Sequence, residues 1–484
     1  MLPHSIRYLL VGLFLLSSSA MAEKRLNFIL ILVDDMGWMD LSCQGSDYYR
    51  TPNVDRLAQE GMRFTNGYAA CAVCSPTRAA VQTGRYPARI GVTDWIRSRF
   101  QRGGIGTPAN NPVDYVGGKN RRFLCPPNPY WMEHDEKTIA ELLKVQGYRS
   151  AHIGKWHLGD EAWYPTGQGY DENFGGCDYG QPPSYFDPYQ QPKHKHAMIR
   201  QGIPFLPGRK KGQYLTDREG EEAVDLIRKW KAEPFFLHLA HYAVHTPIQA
   251  EEQSTARYRQ EGKTEANAKY AAMVESIDRS TGRILETLDE LGIAEQTVIL
   301  FTSDNGGLDR NGSPTDNAPL RSGKGYAYEG GVRVPFIVRW PRSVPAGTVS
   351  DTPVCSIDIL PTFLSAGGIP LPSDLTIDGL DLVPHLRSGG VESLPDRVLT
   401  WHFPHYRHDP GPYSIIRRGD WKLIKFYDGP RELYHLGDDL GEKRNLANAR
   451  PELVASLETD LTRELKSMGA LLPRRNPEYQ EGDR

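Results

Sequence analysis

The 484-residue sequence has no excess of charge of either sign and few cysteines. Lysine and arginine number 57 against 60 aspartate and glutamate residues, and the net charge of −3 gives no electrostatic reason to expect nucleic-acid binding. The six cysteines show no repeated metal-ligand spacing and are too few for a scaffold built on disulfides. The sequence leaves open whether one or two disulfides form among Cys43, Cys71, Cys74, Cys125, Cys177 and Cys355.

Long apolar runs are missing after the first 22 residues. At the N-terminus, Arg7 precedes the run "YLLVGLFLL", and "SSSAMA" ends in an A-x-A cleavage site at Ala22. The alternative is a membrane anchor, but the run is short for a bilayer span of about 20 residues. We therefore expect a signal peptide over residues 1–22 and an exported protein, periplasmic or secreted, with no membrane contact after cleavage.

Strand-like and helical segments alternate along most of the chain. The apolar residues 28–33 and the segment "TVILFTSDNGG", residues 297–307, are typical of strands buried on both faces. Helical spacing covers residues 135–148, 218–233 and 267–292. The alternation predicts an α/β fold in which a large, mostly parallel or mixed sheet lies between helices.

The pattern changes after about residue 390. The short strand-like pieces "RVLTWH", "YSIIRRG", "WKLIKFYD" and "ELYHLGDD" are broken by turn residues and precede the helical "PELVASLETDLTRELKSM". These segments predict a smaller antiparallel sheet with a terminal helix. The predicted organisation is a large N-terminal domain over residues 23–390 and a C-terminal subdomain over residues 391–484.

Polar side chains follow the ends of two predicted strands, Asp34 and Asp35 after the first and Asp304 and Asn305 after the second. Ligands bind at the carboxyl ends of strands in open α/β sheets, so these side chains are expected to meet there. Converging carboxylates repel one another unless a cation lies between them, and hard oxygen donors favour Ca²⁺ or Mg²⁺ over zinc. The alternative is that each pair caps a helix or starts a turn.

Cys74 lies in "CAVCSPTRAAVQTGR", residues 71–85, four positions before Arg78. A catalytic thiol needs a nearby base, and this segment contains no histidine. An exposed thiol in an exported protein is also liable to oxidation. The structural alternatives are a disulfide with Cys71 or a buried thiol.

The segment "CSPTR" followed by "TGR" resembles the signature of the type I sulfatases, Cys-x-Pro-x-Arg with a Thr-Gly a few residues on. Five further motifs of that family occur in the family's order. "LVDDMGW" precedes the cysteine segment, and "GYRSAHIGKWHLG", "VHTP", "TSDNGG" and "LRSGKGYAYEGGVRVPFIVRWP" come after it. Thr77 stands where the family more often has serine, and Gln82 where it usually has an apolar residue. The resemblance covers nearly the whole mature chain and is greatest to the arylsulfatase A and N-acetylgalactosamine-6-sulfatase branch, which implies an alkaline-phosphatase-like fold.

The resemblance also implies a set of site residues. Cys74 would be oxidised to formylglycine by a formylglycine-generating or sulfatase-maturating enzyme, and the hydrated aldehyde would be the nucleophile. One Ca²⁺ would be bound by the converted Cys74 with Asp34, Asp35, Asp304 and Asn305. The remaining predicted catalytic residues are Arg78, which orients the nucleophile, Lys155 and His157, which bind sulfate and assist turnover, and His245 and Lys324, which contact the leaving-group side.

The predicted function is hydrolysis of sulfate esters, with a carbohydrate favoured as substrate over a simple aryl sulfate. One alternative is a phosphomonoester or phosphonate hydrolase of the same superfamily. Another is a non-catalytic glycan-binding protein in which Cys74 stays unconverted. Residues 95–132 are predicted to shape the substrate pocket, and the histidines of "WHFPHYRH" are candidates for substrate contact: His402, His405 and His408.

Overall fold

The computed structural model describes residues 25–102 and 107–481. The predicted signal peptide, residues 1–22, lies outside the described residues. Among the helices that are described, none is both long enough and apolar enough to span a bilayer.

Sixteen strands are described in chain order. They are β1 Asn27–Val33, β2 Met62–Phe64, β3 Gly67–Tyr68, β4 Phe123–Leu124, β5 Arg149–Gly154, β6 Glu172–Phe174, β7 Phe235–Ala240, β8 Thr297–Ser303, β9 Phe336–Arg339, β10 Thr348–Ser350, β11 Val354–Cys355, β12 Leu399–Phe403, β13 Tyr413–Arg418, β14 Trp421–Phe426, β15 Arg431–His435 and β16 Arg474–Arg475.

The α-helices of the described residues are equally spread along the chain. They are α1 Pro52–Gln59, α2 Cys74–Thr83, α3 Pro87–Ile90, α4 Ile139–Lys144, α5 Ala197–Gln201, α6 Leu215–Trp230, α7 Glu252–Ala256, α8 Glu265–Glu290, α9 Glu329–Val332, α10 Ile359–Ala366, α11 Val383–Arg387 and α12 Pro451–Ser467.

Eight strands form one mixed sheet in the order β10-β2-β9-β8-β1-β7-β5-β6. The run from β8 to β6 is parallel, whereas β9 is antiparallel to both of its neighbours. Strand β1 is central, and its register pairs Val33 with Ser303 of β8. The carboxyl ends of β1 and β8 therefore lie side by side, and the residues that follow them are neighbours.

Helices cover both faces of this sheet. Ile29 and Ile31 of β1 point into a core with α1, α6 and α8, whereas Phe28 and Leu30 point into a second core with α2, α4, α10 and α11. A strand whose alternate residues enter two cores must be apolar on both faces, which explains the unbroken apolar sequence of β1. The predicted fold class is confirmed.

The predicted helices are present with shifted bounds. Helix α8 begins two residues before the predicted start because Thr264 and Asn267 form a reciprocal capping box. Helix α4 is much shorter than residues 135–148 because Thr138 caps its start, with Glu141 as the partner. The residues before Thr138 form turns, so their helical spacing did not produce a helix.

The second, smaller sheet is antiparallel in the order β12-β13-β14-β15, and α12 packs on it. Its β14 contributes Lys422, whose Nζ lies 2.9 Å from Glu329 Oε1 in α9 and 2.8 Å from Glu442 Oε1. All three side chains are buried, so this ion cluster fixes the small sheet to the start of α9. The predicted boundary at residue 390 falls between α11 and β12 and stays a prediction.

All six cysteines are free thiols in the structure. The disulfides that the sequence left open, including one between Cys71 and Cys74, are therefore not formed.

Candidate active site

The two predicted acidic pairs meet at the carboxyl edge of the large sheet. Asp35 adopts a left-handed φ of 64°, and its backbone N–H donates to Asp304 Oδ1 at 3.2 Å. Asn305 Nδ2 donates to Asp35 Oδ1 at 2.8 Å. All of these side chains, together with Asp34, are almost fully buried. The parallel register of β1 and β8 thus brings together residues 270 positions apart in the sequence.

Several oxygens of this cluster fit a cation. Asp34 Oδ1, Asp35 Oδ2 and Asn305 Oδ1 are buried and have no hydrogen-bond partner among the described residues. Buried carboxylate and amide oxygens without partners are costly, and Ca²⁺ and Mg²⁺ prefer such oxygen donors. Asp34 and Asp35 also have ligand atoms within 4.8 Å of His245, which the sequence did not predict as part of a metal site.

Cys74 is the first residue of α2 and is 4% exposed. The turn before it is closed by Thr77, whose hydroxyl accepts from Cys71 N at 3.0 Å and donates to Cys71 O at 3.1 Å. Both hydrogen bonds need only a hydroxyl group, so threonine can make them at a position where the family more often has serine. Arg78 lies one helical turn after Cys74 and therefore on the same side of α2.

Arg78 and Lys155 join the cysteine helix to the acidic cluster. Arg78 Nε donates to Asp304 Oδ2 at 2.8 Å, and its Nη1 donates to Lys155 O at 2.7 Å. Lys155 Nζ donates to Asp34 Oδ2 at 2.6 Å. Burial opposes the charge on Arg78, but Asp304 and Asp34 outweigh it and raise the pKa of the guanidinium above its usual value. Arg78 is therefore a permanent cation one helical turn from Cys74.

The formal charges of the site cancel. The acids are Asp34, Asp35 and Asp304, and the cations are Arg78, Lys155 and Lys324. Burial nevertheless raises the pKa of Asp34 to about 6, although Lys155 opposes the shift. Lys324 and His245 outweigh burial at Asp35 and lower the pKa of that carboxyl, so the incompletely compensated carboxylate is Asp34, which agrees with a site built to hold a further cation.

His157 presents a free ring nitrogen. Its Nε2 lies 2.8 Å from Ile96 O, which can only accept, so Nε2 carries the proton. Burial, with the charges of Lys155 and Arg78, holds the pKa of His157 well below its usual range, so the ring is neutral. Its buried Nδ1 has no hydrogen-bond partner among the described residues and is therefore available as a proton acceptor.

His245 and Lys324 both contact Asp35. Lys324 Nζ lies 2.5 Å from Asp35 Oδ1, and His245 Nε2 lies 3.5 Å from Asp35 Oδ2. The other ring nitrogen of His245 is 2.9 Å from Thr246 O. Burial and the charge of Lys324 lower the pKa of His245 to about 3 in the free site. One carboxylate thus holds a cation and an imidazole on the same side of the site.

A cavity of about 200 Å³ opens above these groups. It is lined by Cys74, Trp95, Gln101, His157, Gly180, Gln181, His245, Lys324 and Arg407. The structure therefore brings four of the predicted catalytic residues to one cavity, with Arg78, Lys155 and the acidic cluster packed behind them. Trp95 and Gln101 belong to the segment that the sequence analysis assigned to the pocket.

The C-terminal histidines do not line this cavity. His402 is buried between Ser414 and Leu471 O, and His405 bonds to Thr93 Oγ1 at 2.8 Å. The residue of "WHFPHYRH" that reaches the cavity is Arg407, which sequence reasoning missed along with Gln181.

Gln82 makes buried hydrogen bonds that an apolar residue at this position could not make. Gln82 lies near the C-terminal end of α2, and its Nε2 is 2.9 Å from His238 Nδ1 in β7. The hydroxyl of Tyr170 donates to Gln82 Oε1 at 2.9 Å. Burial lowers the pKa of His238 to about 3, so His238 is neutral and its Nδ1 accepts from the amide. The amide thus ties the cysteine helix to the central sheet.

Replacing Gln82 by leucine is expected to lower the free energy of unfolding by about 1–3 kcal/mol, because His238 and Tyr170 each lose a buried hydrogen-bond partner. The measurement is thermal and urea unfolding of the purified protein. Gln253→Leu, an exposed glutamine in α7, is the matched control and should shift the transition little. Equal stability of Gln82→Leu and the wild type would show that the buried amide contributes nothing.

The large mixed sheet carries an acidic cluster at its carboxyl edge, with three buried cations around it. This arrangement is typical of hydrolases of anionic esters that have an alkaline-phosphatase-like fold. Residues 26–369 match the sequence family described as Sulfatase. Residues 322–470 match the family described as N-sulphoglucosamine sulphohydrolase, C-terminal. The chain belongs to the sulfatase family and is a sulfuric ester hydrolase, which confirms the resemblance found in its motifs.

Individual relatives cover most of the chain. It is 36% identical to N-acetylgalactosamine-6-sulfatase of Sus scrofa over 89% of this chain and 83% of that protein. It is 30% identical to arylsulfatase A of Homo sapiens over 89% of this chain and 86% of that protein. Among solved structures, Ps i-CgsB in complex with k-i-k-neocarrahexaose is 32% identical, covers 92% of each chain and has a TM-score of 0.75.

Proposed function

We propose that this sulfatase removes sulfate from a sulfated glycan, using a formylglycine made from Cys74 and one Ca²⁺. The observation that carries the proposal is the shared cavity: Cys74, His157, His245 and Lys324 line it together, directly above oxygens that fit a cation. The residues proposed to hold the ion are Asp34, Asp35, Asp304, Asn305 and the converted Cys74.

The protein's own residues have distinct proposed roles. Arg78 and Lys155 supply fixed positive charge behind the nucleophile position, where it favours a sulfate group. The free Nδ1 of His157 accepts the proton of the attacking hydroxyl. Lys324 and His245 contact the ester on the leaving-group side. The bound Ca²⁺ would add positive charge at the sulfate, and the hydrated aldehyde would supply a hydroxyl nucleophile that can release sulfate by re-forming the aldehyde.

The uncharged side chains that line the cavity support a sugar over a plain aryl group. Trp95 offers a flat face for a sugar ring, while Gln101 and Gln181 offer amide groups for hydroxyls. An aryl substrate would favour more apolar walls. Similarity to an N-acetylgalactosamine-6-sulfatase and to a structure holding a neocarrahexaose supports the same substrate class.

Maturation must precede folding of the cysteine segment. Cys74 and Arg78 are 4% and 1% exposed, and Pro76 between them is also buried. An enzyme that recognises this cysteine, proline and arginine could not reach them in the folded chain. We therefore propose that the maturating enzyme acts on this segment before it folds.

The test is sulfate release by matured protein. The assay compares sulfated oligosaccharides, an aryl sulfate and matched phosphate esters at equal concentration. The proposal expects sulfate release, with higher kcat/KM on an oligosaccharide than on the aryl sulfate. Faster phosphate than sulfate release would favour the phosphoester hydrolase alternative, and no release from any ester would favour the non-catalytic alternative.

A further inference from the structure

Arg407 reaches the active-site cavity from the C-terminal subdomain, in the segment between β12 and β13. It is the one exposed cation among the described residues that line this cavity, since Lys324 is buried. Within residues 25–102 and 107–481, the Arg407 guanidinium makes neither a hydrogen bond nor a direct ion pair, whereas Lys324 is bound to Asp35 at 2.5 Å. The donors of Arg407 are therefore available to a ligand.

The position of Arg407 is set by close packing on the loop that carries Lys324. Gly325 has a left-handed φ of 87°, and a Cβ added to it would lie 2.4 Å from Arg407 Nε, so the glycine leaves room for the arginine side chain against this loop. On either side, the ring of His408 stacks on Tyr326 at 3.9 Å and an interplanar angle of 2°. Tyr413 also donates to Gly325 O at 3.3 Å. These contacts hold the base of the arginine beside a catalytic lysine.

A buried carboxylate acts on the same arginine. Asp94 is 9% exposed, and its Oδ1 has no hydrogen-bond partner among the described residues. Burial raises the pKa of Asp94, and the charges of Arg407 and Arg97 oppose that shift. Asp94 thus acts on Arg407 without a direct ion pair to it, so the guanidinium keeps its donors for a ligand in the cavity.

We propose that Arg407 binds a second anionic group of the substrate, a sulfate or a carboxylate on the sugar that bears the cleaved ester or on the adjoining sugar. An arginine fork pairs with either oxyanion through two parallel hydrogen bonds. Arg407 is thus a specificity-determining residue, and the preferred substrate is a multiply charged saccharide. This inference rests on the proposed function.

The test compares three disaccharides with the same cleavable sulfate: one otherwise neutral, one with a second sulfate and one with a carboxylate. The wild type should show a higher kcat/KM on one or both charged disaccharides, through a lower KM. Arg407→Gln should reduce that preference roughly tenfold or more, because a hydrogen-bonded charge pair is lost. Arg407→Lys should restore it in part, since lysine keeps the charge but not the fork.

Arg444→Gln is the matched control, because Arg444 is an exposed arginine of the same subdomain that does not line the cavity. It should keep the wild-type preference. Comparison of kcat/KM between the disaccharide with a second sulfate and the disaccharide with a carboxylate identifies which oxyanion Arg407 binds. An unchanged preference in Arg407→Gln, with sulfate still released and thermal stability unaltered, would overturn the inference. Absence of sulfate release by the wild type from every disaccharide would instead overturn the proposed function, and the inference with it.

Discussion

Replacing Cys74 by alanine is expected to reduce sulfate release by roughly a thousandfold or more, because the side chain proposed to become the nucleophile is removed. The remaining cations and the acidic cluster would still bind the ester, so KM should change much less than kcat. The measurement is steady-state sulfate release from an oligosaccharide that the wild type cleaves.

Cys71→Ala is the matched control for this prediction. Cys71 is a buried cysteine three residues earlier, and its thiol does not line the cavity. It should retain activity within a few fold of the wild type, and both variants should unfold at nearly the wild-type temperature. Substantial sulfate release by Cys74→Ala, or an equal loss in both variants, would contradict the role given to Cys74.

Replacing Asp35 by asparagine is expected to weaken Ca²⁺ binding and to lower kcat at least a hundredfold. Asp35 Oδ2 has no hydrogen-bond partner among the described residues and lies 3.5 Å from His245 Nε2, while Asp35 Oδ1 binds Lys324. The change therefore removes a proposed ligand and the partner of a buried cation. Metal content after dialysis and thermal unfolding with and without added Ca²⁺ check this prediction. Because binding to the folded state alone raises its stability, Ca²⁺ should raise the unfolding temperature of the wild type much more than that of the variant.

Asp225→Asn, an exposed acid on α6, is the control and should keep the wild-type response to Ca²⁺. Chelation of the wild-type protein should abolish sulfate release, and added Ca²⁺ should restore it. An Asp35→Asn protein that binds and responds to Ca²⁺ as the wild type does would exclude Asp35 as a ligand.

The parts of the site that follow from strand order could be predicted from the sequence. Asp34 and Asp304 each end an apolar run, and the carboxyl ends of neighbouring parallel strands must lie together. The importance of Cys74 and Arg78 likewise follows from the short motif that contains them. These features depend on periodicity and on short motifs, which a single chain displays directly.

Other parts depend on packing between distant segments. Gln82 is a polar residue on a helix that local patterning would place against an apolar core, and its partner His238 is 156 positions away. Arg407 reaches the cavity only because the small sheet docks beside Gly325. The neighbouring His402 binds Ser414 within the small sheet, and His405 binds Thr93 outside it. No local pattern distinguishes the arginine from the histidines, so the sequence favoured the wrong residues of the segment.

The state of Cys74 decides whether the site works as proposed. Trypsin should release residues 64–78 as one peptide, which contains Cys71 as an internal reference for an unmodified thiol. In active protein from its native host, the proposal expects this peptide to be lighter by about 18 Da than the encoded sequence, with the change confined to residue 74. A peptide with two unmodified cysteines, from protein that releases sulfate at full rate, would contradict the account.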